Sequence, residues 1–533
     1  METDICIVGS GTAGMTLARE LVGKNFRVCL LESGGRKAGR KEQSLYWGEN
    51  IGRPYFPLDT ARARYFGGST NRWHVPLGGD SLGARMRPLD AIDFEEREEV
   101  PFSGWPFTKA HIEPYYQRAD EILRIGPPTY EVGYWEDKKE RPRLPLDEQT
   151  VETVIFKFGS KDPFVNEYYD QVINADNIIT FLYANVLDIE TTETGDTVTR
   201  LQAGTFEGNK FWVSAKIAVL AAGGLETPRL LLLSNRVQKK GMGNQHDLVG
   251  RFFMEHLHFQ SGILIPSRSD FFKRTRLYNS VHQVGNVPII GKLGLSESIL
   301  RREKLLNYSM ELLPRTVLKS YVQRVSEELV SSKSVSALKT IKASLKRGAV
   351  PNEMGKHLSD IVGGFDEIAL ACFRKLSEKL YKEKTNVFLL AHMTEQVPNP
   401  ESRVTLGEER DPFGQRRMQL DWRLSSIDVE STYRAQKIID REIRRTGLGK
   451  ILFQMDENTP PPRITGGWHH MGTTRMHDDP EKGVVDANSK VHGLSNLYIA
   501  GPSVFPTGGY ANPCLTIIAL AVRLADYLKE QLK

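Results

Sequence analysis

Cysteine is scarce in this chain, with four among 533 residues, at positions 6, 29, 372 and 514. Their spacings fit neither a disulfide framework nor a metal knuckle, which sets aside the small stapled secreted folds and points to a reducing compartment. Long apolar runs are missing too, since no stretch approaches the roughly 20 residues that span a bilayer. Neither sign of charge dominates. The formal net charge is +5, too small at this length to argue for nucleic acid. No internal repeat or low-complexity tract stands out, which excludes solenoids and compositionally biased arrays. The chain opens METDICIVGSG, so a strand starts at once, with no basic-then-apolar leader before it. These absences predict a soluble, cytoplasmic protein. Its length predicts two or more domains.

Glycine, by contrast, is plentiful at 46 residues, and its clusters suggest tight loops near a ligand. The first cluster lies in DICIVGSGTAGMTLARELVGKNFRVCLLESGG. A β-rich run precedes Gly9, Gly11 and Gly14 in GxGxxG spacing, a helical pattern follows, and a second strand ends in Glu32. Gly9 permits the turn, Gly11 lets backbone approach a pyrophosphate, and Gly14 lets the helix pack close. The helix N-terminus at Thr12 offers N–H groups to phosphate, and Glu32 is placed to accept from a ribose. Strand, glycines, helix, strand and acid in register predict a dinucleotide site. They do not separate NAD from FAD.

Further along, ARARYFGGSTNRWH (61–74) is a second glycine-centred loop. TFLYANVLDIE (180–190) reads as a strand able to meet an adenine. KIAVLAAGGLETPRLLLL (216–233) reads as a buried strand, a Gly-Gly turn and a helix with Pro228 in its first turn. Residues 266–460 read as a second, inserted domain whose strands, NVFLLAHMTEQ and SRVTLGE among them, roof the ligand. Inside it, residues 315–347 carry eight Lys/Arg against two acids, with Val335, Leu338, Ile341 and Leu345 at helical spacing. A solvated amphipathic helix explains that pattern, and peripheral docking on an anionic membrane surface or an acidic partner is the sharper alternative.

The C-terminal stretch combines a histidine loop, GGWHHMGTTRMH (466–477), a short strand into NLYIAGPSVFPTGG, and an apolar helix opened by NPCLT. Taken with GSGTAG, FGGSTNRW, LAAGGLETPRLLL and VGRFFMEH, this order resembles the GMC (glucose-methanol-choline) oxidoreductases, flavin-dependent alcohol oxidases and dehydrogenases. The GWPFTKAHIEPYY and EQVPNPESRVTL segments are similar to the pyranose-oxidase and sugar-dehydrogenase branch. The resemblance implies an α/β fold with an α+β second domain. A Rossmann-like FAD-binding domain would be assembled from 1–90, 178–262 and 462–533. A sheet-and-helix substrate domain would take 91–177 and 263–461, with a helical insertion at about 315–385.

The resemblance also implies FAD rather than NAD, with contacts at Gly67, Gly68, Ser69, Asn71, Val186, Ala222, Gly223, Gly501 and Pro513 beside those of the first loop. His469 is implied as the base facing the flavin and Asn512 as the group clamping the alcohol oxygen. Adjacent side chains in an extended segment face opposite ways, so His470 should point elsewhere. Members with covalent flavin often carry His before the Trp of the FGGS loop. Arg72 stands there, which predicts non-covalent FAD. Cys514 reads as a buried thiol, and His256 and His258 as structural rather than metal ligands. The expected substrate is an alcohol, a secondary hydroxyl of a sugar or glycoside, with dioxygen or a quinone or carrier protein as electron acceptor. The competing reading is a lyase of the same fold with a structural flavin.

Overall fold

The computed structural model describes residues 1–268, 270–318, 384–455 and 464–533. Among them the strands form three sheets. The seven-stranded sheet is built around β1 (Glu2–Val8) and β2 (Val28–Leu31), which run parallel and are joined by helix α1 (Thr12–Leu21). Strand Ile178–Phe181 extends it beyond β2, and Lys210–Leu220 lies on the other side of β1, both parallel. Leu497–Ile499 completes the parallel set against Lys210–Leu220. Ile5–Val8 and all of β2 are buried, as expected of strands covered on both faces, so hydrophobic runs replace alternation. Residues from three distant parts of the chain thus share one sheet. The C-terminal helix Cys514–Gln531 packs against α1 and helix Lys109–Leu123.

The second sheet has nine strands, and the pairings recorded within it are antiparallel. Leu257–Pro266, Lys384–Thr394, Tyr308–Leu318, Val287–Leu295, Val151–Ser160 and Ser81–Met86 lie side by side in that order. Helix Ser426–Arg445 covers one face. Its Ala435, Ile439 and Ile443 recur every four residues and share a core with Leu264, Leu293, Leu312 and Leu390 of the sheet. On the opposite face Gly83 and Arg85, two apart on their strand, and His258 look onto a cavity shared with the first sheet.

Several expectations change. TFLYANVLDIE is two strands, Ile178–Phe181 and Asn185–Thr191, broken where Tyr183 adopts φ 58°. SRVTLGE (402–408), whose strand is Arg403–Arg410, does not join the roof. It pairs with Arg416–Asp421 in a small three-stranded sheet completed by Glu49–Asn50. Val75–Gly78 and Ser81–Met86, assigned above to the FAD-binding segment, sit in the nine-stranded sheet. Pro228 falls inside helix Gly223–Leu233 rather than in its first turn, because the helix begins at Gly223. The carbonyl it leaves unpaired, that of Gly224, accepts from Thr473 Oγ1 at 2.6 Å. The basic segment 315–347 begins as strand through Leu318. Its remainder, with Cys372 and most of the expected helical insertion, lies outside the described residues.

Candidate active site

A cavity of about 490 Å³ lies between the two large sheets. Three helix N-termini open onto it: α1 after Gly11, Gly223–Leu233 after Ala222, and Cys514–Gln531 after Pro513. None of the three is capped by a side chain. Their first-turn N–H groups therefore give the wall a positive potential. At Gly11 an added Cβ would meet only Gly68 Cα, at 4.0 Å, so a side chain there would project into the cradle. Gly14 differs, since its Cβ would lie 1.9 Å from Gly9 O, and only glycine lets α1 cross that turn. Gly9 itself has φ +99°, a left-handed geometry that disfavours other residues.

Glu32 lines the cavity and is buried. Its Oε2 accepts from Ser10 N at 3.1 Å and Ser10 Oγ at 2.6 Å. Its Oε1 accepts from Gly34 N at 2.8 Å and Ser33 Oγ at 3.3 Å. All four lone-pair positions are engaged, so the carboxylate ties the glycine turn to the end of β2, and a ribose hydroxyl would have to displace the longest of these bonds. Behind the cradle, Glu226 receives Arg229 at 2.9 Å, Arg64 at 3.2 Å and Arg62 at 3.5 Å. Burial alone would raise its pKa. The three guanidiniums outweigh that and hold it near 2. This cluster fastens the segment before the second glycine loop to the helix after the Gly-Gly turn.

The histidine loop gathers several buried titratable groups at the cavity wall. Glu255 Oε2 accepts from the backbone N–H groups of Gly467 at 2.9 Å and His469 at 3.0 Å, and Tyr55 O–H donates to its Oε1. Burial pushes the Glu255 carboxyl up to about 7. His470 turns to the same network, with Nε2 2.9 Å from Tyr55 Oη. His469 turns the other way: its Nδ1 lies 2.8 Å from His256 Nδ1 and its Nε2 lies 3.1 Å from Asn512 Nδ2.

These contacts place the protons of His256 and His469. His256 Nε2 lies 3.1 Å from the Gly508 carbonyl, which can only accept, so that nitrogen carries a hydrogen. Burial holds the His256 pKa near 4, the ring is neutral, and its Nδ1 is bare. His469 Nδ1 must then donate to it. Desolvation keeps His469 well below the ordinary histidine range, reinforced by His256, His258, His470 and Arg85. His469 is therefore neutral as well, and its Nε2 presents a lone pair, which the Asn512 amide meets as donor. Asn512 Oδ1 is buried without a partner among the described residues.

Of the residues singled out from sequence, Gly9, Gly11, Thr12, Glu32, Gly68, Ser69, Val186, Ala222, Gly223, His469, Gly501, Asn512 and Pro513 line this cavity. Gly14, Gly67 and Asn71 stand outside its lining. Asn71 Nδ2 binds its own loop, donating to Phe66 O at 2.9 Å and Gly68 O at 3.0 Å. Cys514 reaches the wall, and burial pushes its thiol up to about 12. Sequence reasoning missed Tyr55, Glu255 and Arg85 and gave His256 only a structural part. FMEHLHF displays Glu255 and His256, but nothing local shows that they face residue 469.

Residues 398–521 match the family model of the GMC oxidoreductases. Over 99% of its length the chain is 24% identical to 2-methyl-1,2-propanediol dehydrogenase of Mycolicibacterium austroafricanum, covering 96% of that protein. It is 37% identical to the C-glycoside 3-oxidase of Arthrobacter globiformis over 23% of either chain. Formate oxidase aligns over 99% of this chain and 98% of its own, with a TM-score of 0.54 and 16% identity. Pyridoxine 4-oxidase from Mesorbium loti aligns over 99% of both, at 0.50 and 15%. Residues 398–521 thus match the GMC oxidoreductases, a family of flavoproteins that use FAD, and the relatives that align over the rest of the chain are named dehydrogenases and oxidases. Among the described residues no helix is long and apolar enough to cross a membrane.

Proposed function

We propose that the protein oxidises a secondary hydroxyl of a sugar or glycoside to a carbonyl, with dissociable FAD. The names of relatives such as C-glycoside 3-oxidase and fructose dehydrogenase support the substrate class. The cradle suits the cofactor: Gly11 faces open space, and three uncapped helix N-termini stand ready for a pyrophosphate and an electron-rich ring. FAD would be held by Gly11, Thr12, Gly68, Ser69, Ala222, Gly223, Gly501 and Pro513, with Val186 and Glu32 at its far end. Bound FAD supplies the two-electron acceptor for the hydride leaving the carbinol carbon.

The observation that carries this reading is the lone pair of His469 Nε2, fixed on the cavity wall by the chain through His256 to Gly508. A substrate hydroxyl entering between His469 and Asn512 donates its proton to that lone pair. The Asn512 amide then donates to the substrate oxygen and fixes its orientation. The resulting imidazolium is disfavoured by burial and by Arg85, His256, His258 and His470, so the proton passes on to solvent rather than staying.

The test is an anaerobic screen of polyols and glycosides, reading loss of the oxidised flavin absorbance. His469→Ala should keep its flavin while reduction slows by about 10²–10⁴. Turnover near the wild-type rate in that variant would overturn the assignment, and a bleach-resistant flavin with every alcohol would favour lyase chemistry. Repeating the productive reaction with air, then with a quinone, identifies the acceptor. Acid precipitation should leave the flavin in the supernatant, since Arg72 occupies the position where a linking histidine would stand.

A further inference from the structure

The roof of the cavity carries a charge that the oxidation of a neutral sugar does not need. Arg85, on Ser81–Met86, lines the cavity with His258 and His469. Its Nη2 lies 3.0 Å from Glu311 Oε2. Lys292 Nζ lies 3.4 Å from the same oxygen. Two cations therefore share one carboxylate. Arg85 Nη1 makes no hydrogen bond among the described residues, and Nε is buried without one. The Lys292 side chain is 3% exposed, so it cannot turn to solvent for compensation.

Glu255, behind the histidine loop, is taken up by Tyr55 and the N–H groups of Gly467 and His469 and is pushed up to about 7 by burial, so it offsets the two cations only in part. The acidic residues of its lining are Glu32 and Glu226. Glu32 is engaged by Ser10, Ser33 and Gly34, and Glu226 by three arginines, both in the cofactor half. The charged groups that act on His258 are Lys292 and Arg85, beside His256. Lys292 is lowered to about 8, burial being the largest cause, so it remains mostly charged near neutrality. An excess positive charge in a partly closed site is costly unless a ligand answers it.

Building on the alcohol-oxidation reading, we propose that Arg85, backed by Lys292 and Glu311, reads an anionic group on the substrate, so that the preferred alcohol is a sugar acid or sugar phosphate rather than a neutral sugar. Arg85 acts as a specificity residue. A guanidinium presents directed donors to a carboxylate or phosphate, and the reacting hydroxyl is set toward His469 from the opposite end of the same molecule.

The experiment compares methyl glucoside, methyl glucuronide and methyl glucoside 6-phosphate as reductants of the holoenzyme under anaerobic conditions, in wild type, Arg85→Gln and Arg85→Lys. One anionic member should reduce the flavin more efficiently than the neutral glycoside by about 10- to 100-fold, the range of one charge-assisted hydrogen bond. Whichever anion it is identifies the group. In Arg85→Gln the ratio should fall toward one, and Arg85→Lys should recover part of it. Equal use of all three by the wild type, or an Arg85→Gln defect shared equally by neutral and anionic compounds, overturns the inference while leaving alcohol oxidation standing. If none reduces the flavin, the alcohol-oxidation reading fails with these sugars. Glucuronide and phosphate binding, followed by the shift of the flavin spectrum, then decides the inference alone, and binding unaltered by Arg85→Gln refutes it.

Discussion

Replacing His256 with Leu tests the proton assignment of the site more sharply than replacing His469 does. His256 need not touch substrate. Its part is to leave a bare Nδ1 at 2.8 Å, so that His469 keeps its own hydrogen on Nδ1 and its lone pair on Nε2. With leucine there, the Nδ1–H of His469 loses its acceptor. An unpaired buried donor costs about 1–3 kcal/mol. The ring escapes by moving the hydrogen to Nε2, where Asn512 Oδ1 stands without a partner, and the lone pair facing the substrate is lost. Either way the active tautomer falls by that amount, or about 5- to 150-fold in rate. Anaerobic stopped-flow reduction at saturating substrate measures it, with flavin content as the control for folding. The double variant with His469→Ala should be no slower than His469→Ala alone, because His256 then has nothing to orient. Wild-type reduction in His256→Leu, or defects that multiply in the double variant, would refute the proton chain.

Other outcomes follow from the same geometry. Gly11→Val should fold with a normal thermal midpoint as apoprotein but bind FAD at least about tenfold more weakly, measured by flavin titration, since its side chain enters the cradle. Gly14→Val, forced against Gly9 O, should instead fail to fold, and soluble holoprotein would contradict the packing argument. Because His469 sits well below the ordinary histidine range, its own protonation should leave reduction rates flat from about pH 6 to 8; Glu255 titrates near 7 in the same network, so a limb with a midpoint near 6.5 that survives in Glu255→Gln would show a free imidazole instead. His470 is held near 3, by burial and then by Arg62. Below its unfolded value of 6.5 the unfolded chain takes up the proton first, so stability falls as pH drops from there toward 3, by about 1.4 kcal/mol per unit. Urea unfolding of His470→Gln between pH 6.5 and 4.5 should show a slope shallower than wild type by that amount, His256 and His469 contributing slopes of their own, and equal slopes would refute it. Thr473→Val should lower the thermal midpoint by removing the donor that Thr473 gives Gly224 O, at a cost of about 1–3 kcal/mol, with Thr473→Ser restoring it.

Much of the cofactor half was legible from local pattern. Gly9, Gly11 and Gly14 carry backbone requirements that act within a few residues, and the buried runs of β1 and β2 declare a parallel sheet by composition alone. The Gly-Gly turn at 223–224 and the proline-opened C-terminal helix are likewise readable as written. Family order added His469 and Asn512, which line one cavity 3.1 Å apart. Where pattern failed, a longer-range force had intervened. Tyr183 breaks an apparent strand because residues 178–181 join β2 while 185–191 turn to pair with 198–204. SRVTLGE alternates like a roof strand, yet it pairs with 416–421 and leaves the large sheet.

The chain's linear order was sufficient to set which residue types are present at each turn and which strands must be buried, because those properties depend on neighbours within one or two turns. Tertiary structure alone decided which nitrogen of His469 carries the hydrogen, that Glu32 is fully engaged by its own turn, and that Arg85 and Lys292 share a single carboxylate. Each of those needs at least one partner tens to hundreds of residues away, such as Ser10 for Glu32, Gly508 behind His256 or Glu311 beside Arg85. A proton's position or an excess charge is a property of the whole set of neighbours, and no spacing within the chain records it.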